Sequence, residues 1–281
     1  AEATNGDLRI EVCPHSQLGN ERDLQEGCSM GTVDIGIGAT ATLSNFTGDF
    51  ALFDLPYLFT SKEQARQVLH SDWAQQKLSE LEQLDMVGLT FWEAGMFDII
   101  QSDHPVKEVS DFSGLTIRVM ENDIFMSTMT ALGINPVPMA WSEVFTSIQN
   151  GTVDGTSNPP VTIYTASIHT IAKNFTIANM IYSPIPVIMS KSTYDTLPEE
   201  YQTLMYEAAE AAAAVEYDLI DKMETESLEA FQTEGVEVVY FTDEQIAECQ
   251  RIMKEKVWPA FVGGKVAQAD IDAINDVISG L

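Results

Sequence analysis

Arg118 is the residue whose type and position most clearly point to chemistry. It lies in the middle of the apolar run 115–120, LTIRVM, which has the alternation and β-branching of a strand. A guanidinium buried in such a strand has a large desolvation cost unless an acidic or strongly accepting group meets it. That group is either an internal carboxylate, which makes a structural ion pair, or a ligand carboxylate bound through two hydrogen bonds. The residue alone leaves both interpretations open.

Three further residues group with Arg118 as a candidate binding site. Trp141 lies at the start of a predicted helix over 142–149, where an aromatic ring can cover a ligand or pack in the core. Asn158 follows a predicted strand end, where α/β lobes place ligand contacts, although it could equally form an Asx turn before the following proline. Glu121 could bind a ligand ammonium or hydroxyl group, or pair with Arg118 itself.

The sequence contains no recognisable catalytic or metal-binding motif. The patterns G-x-S-x-G, H-E-x-x-H and Walker A do not occur, and the four histidines are scattered without ligand spacing. Residues 36–41, GIGATA, match a dinucleotide-binding glycine pattern, but the helix expected there must end by residues 45–48, too soon for that unit. We therefore expect no enzyme, no cofactor and no metal.

Composition favours an ordinary globular protein with an acidic surface. The 281 residues are 45% hydrophobic and 20% charged, enough for two domains, and no apolar stretch is long enough to span a membrane. A formal charge of -29 argues against binding to nucleic acid or anionic membranes. Any anionic ligand must therefore meet a locally positive site. The three cysteines form no disulfide framework, although a Cys13–Cys28 bridge is possible.

The elements that must position these residues follow from hydrophobic periodicity and from helix start and stop signals. Strands are predicted at 8–12, 33–37, 86–93, 115–120, 177–181, 185–189 and 236–241. Helices are predicted at 21–30, 61–84, 123–132, 142–149, 167–175, 198–233, 244–261 and 271–281. The β-α-β order at the start predicts a parallel α/β layer.

Two features indicate two lobes of similar plan. Residues 31–34 and 151–154 both read GTVD, each time at a helix-to-strand junction. The helix that begins at Pro198 would be roughly 45–50 Å long. A helix of that length can bridge two lobes.

With these residues in view, the chain resembles the extracytoplasmic solute-binding proteins of TRAP (tripartite ATP-independent periplasmic) transporters. The resemblance extends over essentially the whole chain and rests on the order and spacing of several segments. These are TNG at 4–6, PHSQLG at 14–19, GTVD at 31–34, DLPYLF at 54–59, GLTIRV at 114–119, PM at 138–139 with SEV at 142–144, and GTVDG at 151–155 with NP at 158–159.

The resemblance implies an α/β, two-lobed fold like that of periplasmic binding proteins, with crossing strands and a long helix that spans both lobes. Lobe I is expected to contain residues 1–95 and 184–223, and lobe II residues 96–183 and 224–281. The ligand cleft lies between them. The family's ligand-binding arginine, cleft aromatic and cleft amide fall on Arg118, Trp141 and Asn158. The predicted set of ligand-binding residues is completed by Phe97, Glu121, Tyr182 and Thr40.

Two departures from the family pattern matter. Many members carry a second arginine in a G-x-R pattern, but Phe97 stands at that position here. With Trp141 it suggests a more apolar acid, aromatic or branched. Family members also usually have a strand and a helix before the TNG segment. Without them we expect a gap or an exposed strand edge in the first lobe.

The resemblance implies a binding protein that captures a small organic acid and delivers it to the membrane subunits of a TRAP-type secondary transporter. It is expected to be periplasmic or otherwise extracytoplasmic, free or lipid-anchored in the precursor, and monomeric, without nucleic acid as a partner. The alternative is a sensor of the same fold that passes the ligand signal to a receptor.

Overall fold

The sheet is built around two long antiparallel strands. A computed structural model describes residues 3–280. Its seven strands form one mixed sheet in the order β1-β6-β2-β5-β3-β4, with β7 also paired to β6. Their bounds are β1 Ile35–Ile37, β2 Met86–Gln101, β3 Thr116–Val119, β4 Asn135–Pro138, β5 Gly155–Asn158, β6 Asn174–Ser190 and β7 Glu237–Tyr240.

The short strands join opposite ends of the long pair. Strand β1 pairs antiparallel with one end of β6, where Ile35 lies opposite Met189. At the other end, β5 pairs antiparallel with β2 and β7 pairs parallel with β6. Strand β3, which contains Arg118, pairs parallel with both β4 and β5. The sheet therefore has two ends that are connected through the middle of β2 and β6.

The middle of the long pair is irregular. Its register shifts three times, between Gly88 and Thr90, between Glu93 and Gly95, and between Phe97 and Ile99. Gly95 has a φ of 107°, in the region that L side chains rarely adopt. Such bulges bend a strand and re-aim its side chains, and they are common next to binding sites.

Within residues 3–280, twelve helices pack around this sheet. Their bounds are α1 Glu21–Met30, α2 Thr40–Leu43, α3 Lys62–Leu69, α4 Asp72–Ser79, α5 Asp123–Ala131, α6 Val144–Gln149, α7 Pro160–Thr165, α8 Lys191–Tyr194, α9 Glu199–Thr233, α10 Asp243–Lys256, α11 Trp258–Phe261 and α12 Gln268–Ser279. Short 3₁₀ helices cover 48–54, 80–84, 109–112, 141–143 and 168–170. No helix within residues 3–280 is both long and apolar enough to cross a bilayer.

Helix α9 crosses the long strands. The Tyr217 hydroxyl donates to the Phe91 carbonyl at 3.0 Å, and the Thr90 hydroxyl donates to Glu210 at 2.6 Å. Glutamates in its first turn and Pro198 before it explain where the helix begins. The predicted long helix is confirmed.

Several other predicted elements are confirmed with small changes of boundary. Helix α1 spans the predicted residues and ends at Gly31, which has a φ of 74°. Strand β3 and helix α5 lie where the periodicity placed them, and Ser61 caps α3 by accepting from the Gln64 N–H. The strands predicted at 177–181 and 185–189 are parts of the single strand β6.

Two predictions of secondary structure are wrong. Residues 8–12 form no strand, and the side chains of Ile10 and Val12 are 61% and 80% exposed. Strand β1 pairs antiparallel with β6. The parallel β-α-β layer predicted at the start of the chain therefore does not exist. Alternation shows only that a strand is possible, whereas pairing also needs a neighbouring strand. The helix predicted at 167–175 is not formed: a 3₁₀ helix covers only 168–170, and β6 already begins at Asn174.

The predicted lobe boundaries remain a prediction. The C-terminal residues assigned to lobe II also contact residues assigned to lobe I. The Trp258 Nε1–H donates to the Pro56 carbonyl at 3.0 Å, and Lys77 lies 3.1 Å from Asp270.

Candidate functional site

A cavity of about 190 Å³ lies beside the irregular middle of the long strands. Its walls come from α1 and the turn before it, the end of β1, the bulges of β2 and β6, and the segments that follow β3, β4 and β5. The lining residues are Ser16, Asn20, Glu21, Ala39, Ala94, Phe97, Arg118, Met120, Trp141, Asn158, Pro159, Thr162, Ser183 and Ile185.

Arg118 is held in this wall by a carbonyl rather than by a carboxylate. Its side chain is 3% exposed, and its Nε and Nη2 donate to the Met139 carbonyl at 3.0 and 2.8 Å. Its Nη1 lies 3.4 Å from Asn158 Oδ1. No carboxylate within residues 3–280 comes within 4.0 Å of the guanidinium. Of the two interpretations that the sequence left open, an internal ion pair is therefore not seen in the part of the chain described.

The charge on Arg118 is uncompensated at short range. Burial lowers the pKa of Arg118 to about 10, and the more distant negative charges of Glu21 and Glu121 only partly oppose this effect. The side chain therefore remains protonated at neutral pH. A buried cation of this kind has a strong electrostatic preference for an anion in the cavity.

Two groups beside Arg118 complete a surface suited to an organic acid. Asn158 Oδ1 accepts from the Thr156 hydroxyl at 2.7 Å as well as from Arg118. This orientation leaves the amide N–H₂ of Asn158, a residue that lines the cavity, as a free donor for a ligand. The guanidinium lies 5.5 Å from the centre of the Trp141 ring, so the indole covers one side of the positive group.

The opposite wall contains acceptors that sequence reasoning missed. Glu21 Oε1 accepts from the Ala39 N–H at 3.1 Å, and burial raises the pKa of Glu21 although Ala39 and the Arg118 charge oppose the rise. Asn20, the residue before α1, also lines the cavity. Acidic residues in the first turn of a helix are common as dipole partners. Glu21 therefore gave no separate signal of a binding role.

The predicted site residues fall into two groups. Arg118, Trp141, Asn158 and Phe97 all line the cavity, and the Phe97 ring meets Phe125 edge-on with centroids 5.2 Å apart. The fold therefore brings these four residues, from four separate segments, to one cavity; their ligand role remains a prediction.

The remaining three predicted residues do not line this cavity. Glu121 is exposed and borders a small adjoining pocket of about 30 Å³. Tyr182 donates to the buried carboxylate of Glu93, and Thr40 donates to Asp54 at 3.0 Å.

The described residues contain neither a candidate metal site nor a disulfide. No group of three or more histidine, cysteine or acidic side chains within residues 3–280 could hold a metal ion. All three cysteines are free, so the Cys13–Cys28 bridge that the sequence left open is not formed.

Residues 1–262 match a protein family described as bacterial extracellular solute-binding protein, family 7, or DctP. The C4-dicarboxylate-binding periplasmic protein DctP of Rhodobacter capsulatus is 32% identical over 233 residues, which cover 83% of this chain and 70% of that protein.

Solved structures share the whole fold. The sugar acid binding protein DctPAm from Advenella mimigardefordensis, in complex with galactonate, matches with a TM-score of 0.95 and 25% identity, over 99% of this chain and 89% of that one. A TRAP periplasmic solute-binding protein from Bordetella bronchispeptica, with density interpreted as pantoate, matches with a TM-score of 0.91 and 30% identity, over 98% and 90%.

Proposed function

The chain belongs to family 7 of the bacterial extracellular solute-binding proteins, and we propose that it binds a small hydroxylated monocarboxylic acid between Arg118 and Glu21. The observation that supports this most is the buried, protonated Arg118, which has no carboxylate within 4.0 Å in the region described. A bound carboxylate would accept from the unused guanidinium N–H groups and from the Asn158 amide.

The two sides of the cavity select the rest of the ligand. Glu21 offers an acceptor, so the ligand must donate there, as a hydroxyl group does. A second ligand carboxylate would face Glu21 and be repelled, which disfavours dicarboxylates. Phe97 and Trp141 supply apolar contact surface to the cavity. Among the acids found in similar structures, pantoate, with one carboxylate, hydroxyls and a branched apolar part, fits these three conditions better than galactonate does.

The role in the cell follows from the family. We propose that the closed, loaded protein delivers its ligand to the membrane subunits of a TRAP transporter and performs no chemistry on it. The remaining elements of the proposal are an extracytoplasmic location, free or lipid-anchored in the precursor, a monomeric state and no nucleic-acid partner. The lobe division at 1–95 with 184–223 and 96–183 with 224–281 belongs to the same proposal, as does a ligand role for Glu121, Tyr182 and Thr40.

Thermal unfolding of refolded, ligand-stripped protein tests the proposal. The panel contains pantoate, galactonate, succinate and isovalerate, with wild type, Arg118→Ala and Arg251→Ala as proteins. Arg251 is an exposed arginine of α10 and serves as the matched control. A ligand at ~1,000 times its dissociation constant stabilises the folded state by about 4 kcal/mol.

We expect pantoate to raise the melting temperature of wild type and of Arg251→Ala but not of Arg118→Ala. Stabilisation by galactonate alone would overturn the apolar part of the proposal, and stabilisation of Arg118→Ala would overturn the role of the arginine. If wild type and the control respond to no carboxylate, the ligand class is wrong.

A further inference from the structure

A buried polar cluster lies behind the cavity, and none of its side chains lines the cavity. The Asn122 amide N–H₂ donates to Asp54 Oδ2 at 2.9 Å, to Ser44 Oγ at 2.8 Å and to the Ala41 carbonyl at 3.0 Å. The Thr40 hydroxyl donates to Asp54 Oδ1 at 3.0 Å. The four side chains, Thr40, Ser44, Asp54 and Asn122, are each at most 3% exposed.

The cluster connects two walls of the cavity. We call them the arginine wall, with Arg118 and Met120, and the glutamate wall, with Glu21 and Ala39. Asn122 follows the strand that contains Arg118, and its Oδ1 caps α5 by accepting from the N–H groups of Ile124 and Phe125. On the other side, Thr40 follows Ala39, whose N–H binds Glu21. The contacts of Asn122 therefore fix the arginine wall relative to the glutamate wall.

The two walls are attached to opposite ends of the sheet. Thr40 follows β1, which pairs near Met189 at one end of β6. Asn122 follows β3, which pairs with β5 and through it with residues 98–101 at the other end of β2. The sheet joins these ends only through its bulged middle, so a bend there separates the walls unless other contacts oppose it.

The energetics of the cluster favour contact between the walls. Asp54 is 1% exposed and has no cationic side chain within 4.0 Å in the region described. Burial raises the pKa of Asp54 to about 7, against the hydrogen bonds from Thr40, Ser44 and Asn122 and the more distant charge of Lys265. If the walls separate, Asp54 loses its amide donor, and a buried acceptor without its donor is costly.

We propose that Asp54 and Asn122 are positioning residues that form a latch, in which the Asn122 amide holds the arginine wall against the glutamate wall and favours the closed cavity. The proposal rests on the proposed binding function. Neither residue touches the ligand site, so the latch acts through the population of the closed state. Losing it should move the closed-to-open ratio about tenfold, which corresponds to about 1.4 kcal/mol.

The variant Asn122→Ser separates the latch from the helix cap. Serine still accepts the α5 N–H groups as a cap but has no amide to reach Asp54. The matched control is Thr242→Ala, which removes an exposed cap of α10 at a residue that does not line the cavity. Thr242→Ala loses a helix cap, whereas Asn122→Ser keeps one, so a change in the distance between the walls that appears only in Asn122→Ser does not come from helix-end destabilisation.

The first readout needs no ligand. Spin labels are placed at Met30→Cys and Gln149→Cys, two exposed positions on opposite walls, in a Cys13→Ser background, and their distance distribution is measured by pulsed dipolar spectroscopy. We expect a shift to longer distances in Asn122→Ser and none in Thr242→Ala. The second readout is pantoate affinity by calorimetry, where Asn122→Ser should bind more weakly, by up to tenfold, and dissociate faster.

An unchanged distance distribution in a folded Asn122→Ser protein overturns the latch. A lower melting temperature with unchanged distances and affinity would assign the cluster a purely structural role. If Asn122→Ser does not fold, Ser44→Ala removes one acceptor of the Asn122 amide and should give the same shift at smaller amplitude. Failure of all carboxylates to bind would refute the proposed function alone, because the distance measurement uses none.

Discussion

Replacing Arg118 by methionine should make the ligand-free protein more stable while it abolishes binding. Methionine approximates the length of the arginine stem and tolerates irregular apolar surroundings. The variant therefore removes the buried charge and leaves most of the packing. A residue retained for ligand binding is expected to show this opposition between stability and function.

The magnitude follows from the pKa of Arg118. Free arginine has a pKa of about 12.5, and each pH unit is equivalent to about 1.4 kcal/mol. A pKa lowered by burial to about 10 in the folded protein therefore means that the charged form costs about 3 kcal/mol. Because the folded-state pKa lies below the unfolded one, this cost is fully present at neutral pH and falls only as the pH rises above 10.

The substitution also removes hydrogen bonds, and this reduces the gain in unfolding free energy. The Met139 carbonyl loses its two contacts with the guanidinium, which costs about 1–2 kcal/mol if water does not replace them. We therefore expect Arg118→Met to gain about 1–2 kcal/mol in unfolding free energy, a rise of a few degrees in melting temperature.

The assay is urea and thermal denaturation of ligand-stripped protein at pH 7, with Arg251→Met as the control for losing an exposed arginine. A melting temperature that falls by several degrees in Arg118→Met, but not in the control, would refute the reasoning. It would mean that Arg118 contributes more to the fold through its carbonyl contacts than its buried charge costs.

Two further predictions concern carboxylates in and near the cavity. Burial raises the pKa of Glu21, so lowering the pH toward that pKa protonates Glu21 and should strengthen the binding of isovalerate, an acid without a hydroxyl group. At neutral pH, Glu21→Gln should bind isovalerate more tightly than wild type, and its affinity should depend less on pH. Equal dependence of isovalerate affinity on pH in wild type and Glu21→Gln, measured by calorimetry, would contradict this prediction. Arg66 bonds both oxygens of Glu93, whose side chain is fully buried, so Arg66→Ala should cost about 3–5 kcal/mol. A loss below 1 kcal/mol in denaturant unfolding, measured beside Arg251→Ala, would show that Glu93 finds other donors.

The sequence was sufficient for the elements with strong local signals. Helix α9 has Pro198 and two glutamates at its start, and α1 has Gly31 at its end, so end signals and periodicity agree there. Residues 8–12 show the limit of such signals. Their alternation is real, but Ile10 and Val12 have no partner strand in the region described and remain in solvent.

In the candidate site, too, some residues could be identified from local sequence signals and others only from the fold. Arg118 could be singled out because a lone guanidinium in an apolar strand is unusual. Glu21 could not, since a glutamate in the first turn of a helix is ordinary and only the tertiary fold places it across from Arg118. The contact between Asp54 and Asn122 also depends on the fold, because 68 positions separate the two residues in sequence. Local patterns identify residues with unusual requirements, whereas pairs across a cavity require the topology.

A crystal structure of the protein with pantoate bound tests the central claim most directly. We predict the ligand carboxylate within hydrogen-bonding distance of the Arg118 guanidinium and the Asn158 amide, a ligand hydroxyl at Glu21, and the branched methyl groups against Phe97 and Trp141. A carboxylate bound elsewhere, with the Arg118 guanidinium still bonded only to Met139 and Asn158, would contradict the account.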